Sequence, residues 1–162
     1  MSLSSHQKTV GISQVWLTPP EILKPLGAFD LDPCAAPDPR PWPTAEKHIA
    51  LPDDGLAACW KGCRVWLNPP FNRYEAPKWM RRMAEHGNGI ALIAARTETE
   101  MFFDNVWDGA TSILFVKKRP HFHYPDGRRA KANSGAPIVL ISYGQNNDAI
   151  LEKSGLGKWI PL

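Results

Sequence analysis

A short run of residues, Asn68 to Phe71 (Asn-Pro-Pro-Phe), combines groups that suit chemistry on an amino nitrogen. The exocyclic nitrogen of adenine or cytosine is a poor nucleophile, because its lone pair is delocalised into the ring. Two acceptors aimed at its N–H bonds localise that lone pair, and the Asn68 side-chain oxygen and the Pro69 carbonyl are candidates. Phe71 can stack on a base that has left a duplex. With a sulfonium methyl donor, such chemistry needs neither a metal nor a strong base.

The residues before this run predict where it lies in the fold. Residues 63–67 (Cys-Arg-Val-Trp-Leu) have the composition of a buried strand. Pro69 and Pro70 donate no backbone N–H, so the strand must end there. Asn68 is therefore expected at the carboxyl end of a strand, where open α/β sheets bind ligands. The alternative is a strand followed by a Pro-Pro turn and an incidental aromatic residue.

Asp32 is a second candidate, because it also stands where a strand is expected to end. Residues 29–32 alternate like a short strand, and Pro33 ends it. A carboxylate at this place can bind the ammonium of an amino-acid moiety or ribose hydroxyls. The small residues 34–36 (Cys-Ala-Ala) let the backbone pass close to a ligand, although no G-x-G loop is present. The alternative is an ordinary turn aspartate.

Thr18 and Asp54 each have a functional and a structural interpretation. Thr18 precedes Pro19 and can cap a short helix, or it can contact the methionine end of a cofactor. Asp54 lies in an Asp-Gly turn, where surface solvation is the ordinary role. It can also accept a hydrogen bond from the amino group of an adenine ring, with Leu56 packed on the ring face.

A basic segment at residues 117–131 predicts contact with phosphates. Against one acid, Asp126, it carries six cations: Lys117, Lys118, Arg119, Arg128, Arg129 and Lys131. A turn at residues 125–127 makes it a hairpin with basic flanks, which suits a nucleic-acid backbone. Phe122 or Tyr124 can instead wedge into the gap that a flipped base leaves. A solvated basic loop is the alternative.

The rest of the chain predicts alternating strands and helices, which favours βαβ units in a mostly parallel sheet. The predicted strands cover residues 29–32, 48–51, 63–67, 89–94, 111–116 and 137–143, and the predicted helices cover residues 21–26, 78–86 and 98–106. Met80 and Met83 are expected in the core. In the tail, residues 144–162, Trp159 and Ile160 are expected to dock on the body.

Composition restricts the class of protein. A chain of 162 residues, 43% hydrophobic and 22% charged, predicts one globular domain over residues 1–162. Residues 1–14 lack the apolar core of a signal peptide and are expected to be loose, and the longest apolar runs are too short to span a bilayer. A net charge of +3 allows nucleic acid as a partner.

Cysteine usage favours a reducing compartment. The three cysteines form no disulfide pattern, which is typical of the cytosol. Cys59 and Cys63 could join a histidine around zinc, but no second pair of ligands accompanies them. We therefore expect no metal site.

Together these motifs resemble the phage-encoded, Dam-like DNA adenine-N6 methyltransferase family. The resemblance covers about residues 15–143. It rests on the order and spacing of Trp16-x-Thr18-Pro19, Phe29-Asp30-Leu31-Asp32-Pro33-Cys34-Ala35, Asp54-Gly55-Leu56 with Trp60, and Val65-Trp66-Leu67-Asn68-Pro69-Pro70-Phe71.

The resemblance implies a Rossmann-like methyltransferase sheet, mostly parallel, with a hairpin excursion at residues 117–136. S-adenosylmethionine is expected across the strand ends and double-stranded DNA as the partner, in the cytoplasm of a bacterial host, with a phage or prophage gene. The implied catalytic residues are Asn68, Pro69, Pro70 and Phe71, and the implied cofactor-binding residues are Thr18, Asp32, Pro33, Cys34, Ala35, Asp54 and Leu56. The alternatives are a cytosine-N4 methyltransferase and a catalytically weak DNA-binding module. No clear acidic residue stands at the end of a second strand to hold the ribose diol, and Glu46 is a poor candidate for this role.

Overall fold

The structure is a computed structural model that describes residues 15–162, so the prediction of a loose segment at residues 1–14 lies outside the described part. The strands are β1 (Leu31–Asp32), β2 (Lys47–His48), β3 (Val65–Leu67), β4 (Gly89–Ala94), β5 (Ser112–Val116), β6 (Ile138–Tyr143) and β7 (Gly157–Pro161). The helices are α1 (Pro20–Leu23), α2 (Ala76–His86), α3 (Glu100–Phe102) and α4 (Gln145–Lys153). A 3-10 turn, Lys24–Leu26, extends α1, and a π-helical turn, Phe103–Trp107, extends α3.

Within residues 15–162 the strands form one seven-stranded sheet in the order β2-β1-β3-β4-β6-β5-β7. The pairs among β2, β1, β3 and β4 are parallel, whereas β6 is antiparallel to both β4 and β5, and β7 is antiparallel to β5. The sheet is therefore mixed. The prediction of a mostly parallel sheet is wrong for the pairs beyond β4, because β6 enters the sheet between β4 and β5 in the opposite direction.

Strand direction brings the candidate residues to one edge of the sheet. Since β4 and β5 are both antiparallel to β6, they run the same way, and β1 and β3 are parallel to β4. Asp32 ends β1, Asn68 follows β3, and the basic segment follows β5. All three consequently stand at the same carboxyl edge, as expected for Asp32 and Asn68.

The core lies on both faces of the sheet. Along β4, Ala91 and Ile93 pack on the face covered by α2 and α3, and Ile90 and Leu92 pack on the face covered by α1 and α4. Successive side chains of a strand point to opposite faces, so all six residues of β4 are buried.

Helix α2 illustrates how local chemistry sets the boundaries. Pro77 lies in its first turn, where a missing N–H costs nothing. Met80 and Met83 are fully buried, as predicted. Gly87 ends the helix in the left-handed conformation, with φ of 71°, and its N–H donates to the Met83 carbonyl.

The largest departures from the predicted elements are in the tail. Neither α4 nor β7 is predicted, because the sequence of α4 is mostly polar and that of β7 begins with Gly157 and ends with Pro161, which are both unfavourable in strands. Trp159 and Ile160 do dock on the body, since they pair with Leu114 and Ile113 of β5. Among the helices of residues 15–162, none combines the length and apolar character that crossing a bilayer requires.

Candidate active site

Asn68 directly follows β3 and is held by the segment before α1. Its Nδ2 donates hydrogen bonds to the Trp16 carbonyl and to the Thr18 Oγ1, and each donor–acceptor distance is 3.2 Å. A carbonyl only accepts hydrogen bonds, so the amide nitrogen must face Trp16. The Asn68 Oδ1 is therefore directed away from this segment and is available as an acceptor.

The rest of the Asn-Pro-Pro-Phe run supports an exposed aromatic ring. Pro69 is buried and Pro70 is half-buried. Phe71 remains 40% exposed, and its ring meets the edge of the Phe122 ring at a centroid distance of 6.3 Å. Phe122 is only 6% exposed and belongs to the core, so the hypothesis that it wedges into DNA is wrong.

Thr18 does not cap α1. The N-cap position is Pro19, which makes no side-chain capping bond, so the helix-capping interpretation is wrong. Thr18 is 1% exposed and its hydroxyl oxygen accepts the hydrogen bond from Asn68. Its carbonyl accepts a hydrogen bond of 3.1 Å from the Trp42 Nε1. The side chain is thus built into the wall of the site beside Asn68.

Asp32 is a buried carboxylate that shapes the loop after β1. It is 3% exposed, its Oδ1 accepts a hydrogen bond of 3.1 Å from the Cys34 N–H, and its Oδ2 accepts one from the Thr44 hydroxyl. Burial raises the pKa of Asp32 to about 6, against the opposing effects of these two bonds and of the Arg40 charge. Both carboxylate oxygens therefore already have protein partners.

A pocket of about 200 Å³ lies beside this loop. It brings together five of the residues predicted to bind a cofactor: Pro33, Cys34, Ala35, Asp54 and Leu56. Glu75 and Trp79, at the start of α2, complete one wall. Thr18 and Asp32 do not line the pocket; Thr18 lies against Asn68, and Asp32 anchors the loop.

The Asp-Gly-Leu turn lines the same pocket and packs directly against Pro33. A Cβ atom on Gly55 would lie 1.8 Å from the Pro33 carbonyl oxygen, so only glycine allows this approach. The Asp54 Oδ1 accepts a hydrogen bond of 2.9 Å from the Leu56 N–H, and the Trp60 Nε1 donates to the Gly55 carbonyl over 2.8 Å. The spacing of this motif therefore has a direct structural cause.

The cysteines belong to no metal-binding arrangement in the described residues. Burial, and then the charges of Asp32 and Glu75, raise the pKa of Cys34 to about 12, which keeps its thiol neutral. Cys59 is exposed and Cys63 half-buried. Across residues 15–162, no three or more His, Cys, Asp or Glu side chains cluster closely enough to hold a metal ion.

The basic segment docks on the same strip of chain that holds Asn68. Leu17 and His123 exchange two backbone hydrogen bonds, of 2.9 and 3.0 Å. The Tyr124 N–H donates to the Arg128 carbonyl over 2.8 Å, which closes a small hairpin around the predicted turn. The six cations are exposed: Lys117, Lys118, Arg119, Arg128, Arg129 and Lys131. Arg128 forms an exposed salt bridge with Asp126, in which the Arg128 Nε lies 2.7 Å from the Asp126 Oδ2.

Comparison with known proteins identifies the family of this chain. The family model for DNA N-6-adenine-methyltransferase (Dam) matches residues 5–151. The chain belongs to this family. The DNA N-6-adenine-methyltransferase of Escherichia phage T1 is 27% identical over 113 residues, which cover 65% of this chain and 46% of the phage protein. This chain thus aligns with about half the length of that relative, and no solved structure gives a significant match.

Two side-chain contacts near the Asn-Pro-Pro-Phe run become evident only in the structure. Trp16 is 39% exposed and packs on Tyr124 with a ring-centroid distance of 5.3 Å. The Arg73 guanidinium lies over the Tyr74 ring, 4.7 Å from its centroid, just after Phe71. In the sequence, an arginine followed by an aromatic residue shortly after the Asn-Pro-Pro-Phe run was the feature that could have indicated this contact. Together these residues extend the rim of the site.

Proposed function

We propose that this chain transfers a methyl group from S-adenosylmethionine to the N6 amino group of adenine in DNA. Membership of the Dam family supports the substrate and the reaction. The observation that carries the proposal is the orientation of the Asn68 amide, whose nitrogen is held by Trp16 and Thr18 and whose oxygen is left as an acceptor.

We further propose that the sheet is Rossmann-like. The chain passes from β1 to β2 on one side and returns to β3 on the other side of β1, so the strand order reverses between β1 and β3. Ligands of open α/β sheets bind at such a switch point, outside the carboxyl ends of the strands. The Asp32 loop and Asn68 flank this crevice.

The residues of the pocket fit the adenosine end of the cofactor. Leu56, Trp79 and Pro33 offer apolar surface for a flat ring, and Asp54 offers a carboxylate for its amino group. Gly55 keeps the two walls close together. No acidic residue stands directly at the end of β2 to hold the ribose diol, but Asp53 and Glu75, the residue before α2, are further carboxylates that line the pocket. S-adenosylmethionine, when bound, would supply a methyl group on its sulfonium sulfur; attack by a nucleophile would break that S–C bond, with neutral S-adenosylhomocysteine as the leaving group.

The Asn68 loop prepares the amino nitrogen for that attack. The Asn68 Oδ1 and the Pro69 carbonyl accept the two amino hydrogens of a flipped adenine, which localises the nitrogen lone pair. Phe71 stacks on the base and keeps it out of the duplex. These acceptors act most strongly as positive charge develops on the nitrogen, so they stabilise the transition state more than the ground state. After methyl transfer the nitrogen loses one proton to solvent and is again neutral.

The hairpin that contains the cations binds the DNA backbone. Its exposed cations stand at the carboxyl edge with Asn68, and phosphate contacts position a duplex without reading its sequence. Tyr124 is half-buried against Trp16, and in this proposal it is the residue, in place of the buried Phe122, that enters the space left by the flipped base.

The test is to identify the modified nucleoside. DNA is incubated with the full chain and methyl-labelled S-adenosylmethionine and is then digested to nucleosides. We expect label in N6-methyldeoxyadenosine, and none with the Asn68→Ala variant. Label in N4-methyldeoxycytidine would assign the cytosine reaction instead. Cofactor binding without label in any nucleoside would indicate a DNA-binding module and overturn the proposal.

A further inference from the structure

Thr18 has a place in the site that a cofactor ligand or a helix cap would not have. It is 1% exposed, and its hydroxyl contacts the side chain of Asn68, 50 positions away in the sequence. The surrounding chain holds it firmly: Trp42 donates to its carbonyl, and the backbone of Leu17 pairs with His123. The position of the hydroxyl is therefore set by contacts outside the Asn68 loop.

The orientation of an asparagine amide decides whether it can act as an acceptor. Rotation by half a turn would exchange the Asn68 Oδ1 and Nδ2, and the nitrogen would then present hydrogens to the amino group of the base. The hydrogens of the Asn68 amide and those of the base's amino group would then face each other, and the lone pair of the amino nitrogen would not be localised. The Trp16 carbonyl selects the productive orientation, and the Thr18 hydroxyl adds a second acceptor for the same Nδ2.

We propose that Thr18 is a positioning residue for methyl transfer, whose hydroxyl holds the Asn68 amide with its oxygen facing the amino group of the base. The inference rests on the proposed methyltransferase function. It differs from the role expected from sequence, in which Thr18 contacts the cofactor. A cofactor ligand changes affinity for S-adenosylmethionine, whereas a positioning residue changes the rate of transfer from the bound cofactor.

The test separates these two quantities in Thr18→Val and Thr18→Ser. Single-turnover methyl transfer to DNA is measured at saturating S-adenosylmethionine, and cofactor affinity is measured by calorimetry. We expect Thr18→Val to slow transfer by roughly 3- to 10-fold, the effect of one lost neutral hydrogen bond, with unchanged affinity. Thr18→Ser keeps the hydroxyl and should restore most of the rate.

Thr111→Val is the matched control. Its hydroxyl also accepts one hydrogen bond, of 3.0 Å from the Gly144 N–H, but it precedes β5 at the opposite edge of the sheet. The control should lower thermal stability without changing the transfer rate. Thr18→Ala replaces Thr18→Val if thermal unfolding shows that the valine variant does not fold.

Three results would overturn the inference. If Thr18→Val transfers the methyl group at the wild-type rate, Thr18 has no positioning role, and the proposed function is unaffected. A loss of cofactor affinity that matches the loss of rate would make Thr18 a cofactor ligand. A slow Thr18→Ser variant would show that shape, and not the hydroxyl, matters. Absence of any DNA methylation by the wild-type chain would instead refute the proposed function itself.

Discussion

Replacing the buried carboxylate of Asp32 by an amide should stabilise the protein at neutral pH. In Asp32→Asn the side-chain oxygen can still accept from the Cys34 N–H. The new NH₂ can donate to the Thr44 hydroxyl, which then acts as an acceptor. Both hydrogen bonds are kept, and only the buried charge is lost.

The magnitude follows from the pKa of Asp32, which burial raises from 3.8 to about 6. At about 1.4 kcal/mol per pKa unit, this amounts to about 3 kcal/mol of folding free energy. The folded chain binds the Asp32 proton more tightly than the unfolded chain does. This contribution to stability is therefore fully present below pH 3.8 and is lost as the pH rises through about 6.

The assay is urea unfolding of the wild type and Asp32→Asn at several pH values from about 3.5 to 8. The difference between their unfolding free energies cancels the other titrating groups. It should be small at the acidic end and reach about 3 kcal/mol in favour of Asp32→Asn above pH 6. A difference that does not change with pH would refute the reasoning.

Three further predictions concern the catalytic loop, the pocket and the hairpin. Asn68→Ala should leave folding and cofactor affinity nearly unchanged while methyl transfer falls by orders of magnitude; near-full turnover on DNA would make the catalytic assignment wrong. Gly55→Ala should lower the unfolding free energy by on the order of 1–3 kcal/mol, because its Cβ would meet the Pro33 oxygen at 1.8 Å; an unchanged melting temperature would show that the loop relaxes freely. Neutralising Arg128 and Arg129 together should weaken binding to all DNA sequences alike and flatten the slope of log affinity against log salt by up to about 0.9 per lost phosphate contact. Lys61→Gln, in the turn before β3, is the control for the last experiment, and a changed sequence preference with the same slope would make the hairpin a specificity element.

Short-range chemistry made parts of this fold predictable. The prolines after Asn68 have no N–H to donate, so the end of β3 could be placed from sequence, and β4 was predicted with its observed bounds. Gly87 similarly marks the end of α2. The pocket was also partly predictable, since its predicted residues follow directly from the Asp32 strand end and the Asp-Gly turn.

The sequence by itself determined most of the elements before residue 144, the Asn-Pro-Pro-Phe run and the ends of β1 and β3, because these depend on neighbours within a few residues. Only the tertiary structure decided that β6 runs antiparallel between β4 and β5, since a strand buried on both faces has the same composition in either direction. It likewise decided that the Thr18 hydroxyl faces Asn68 and that Asp32 is sealed from solvent. Those features arise where distant segments pack, and no local pattern encodes which buried polar groups will meet.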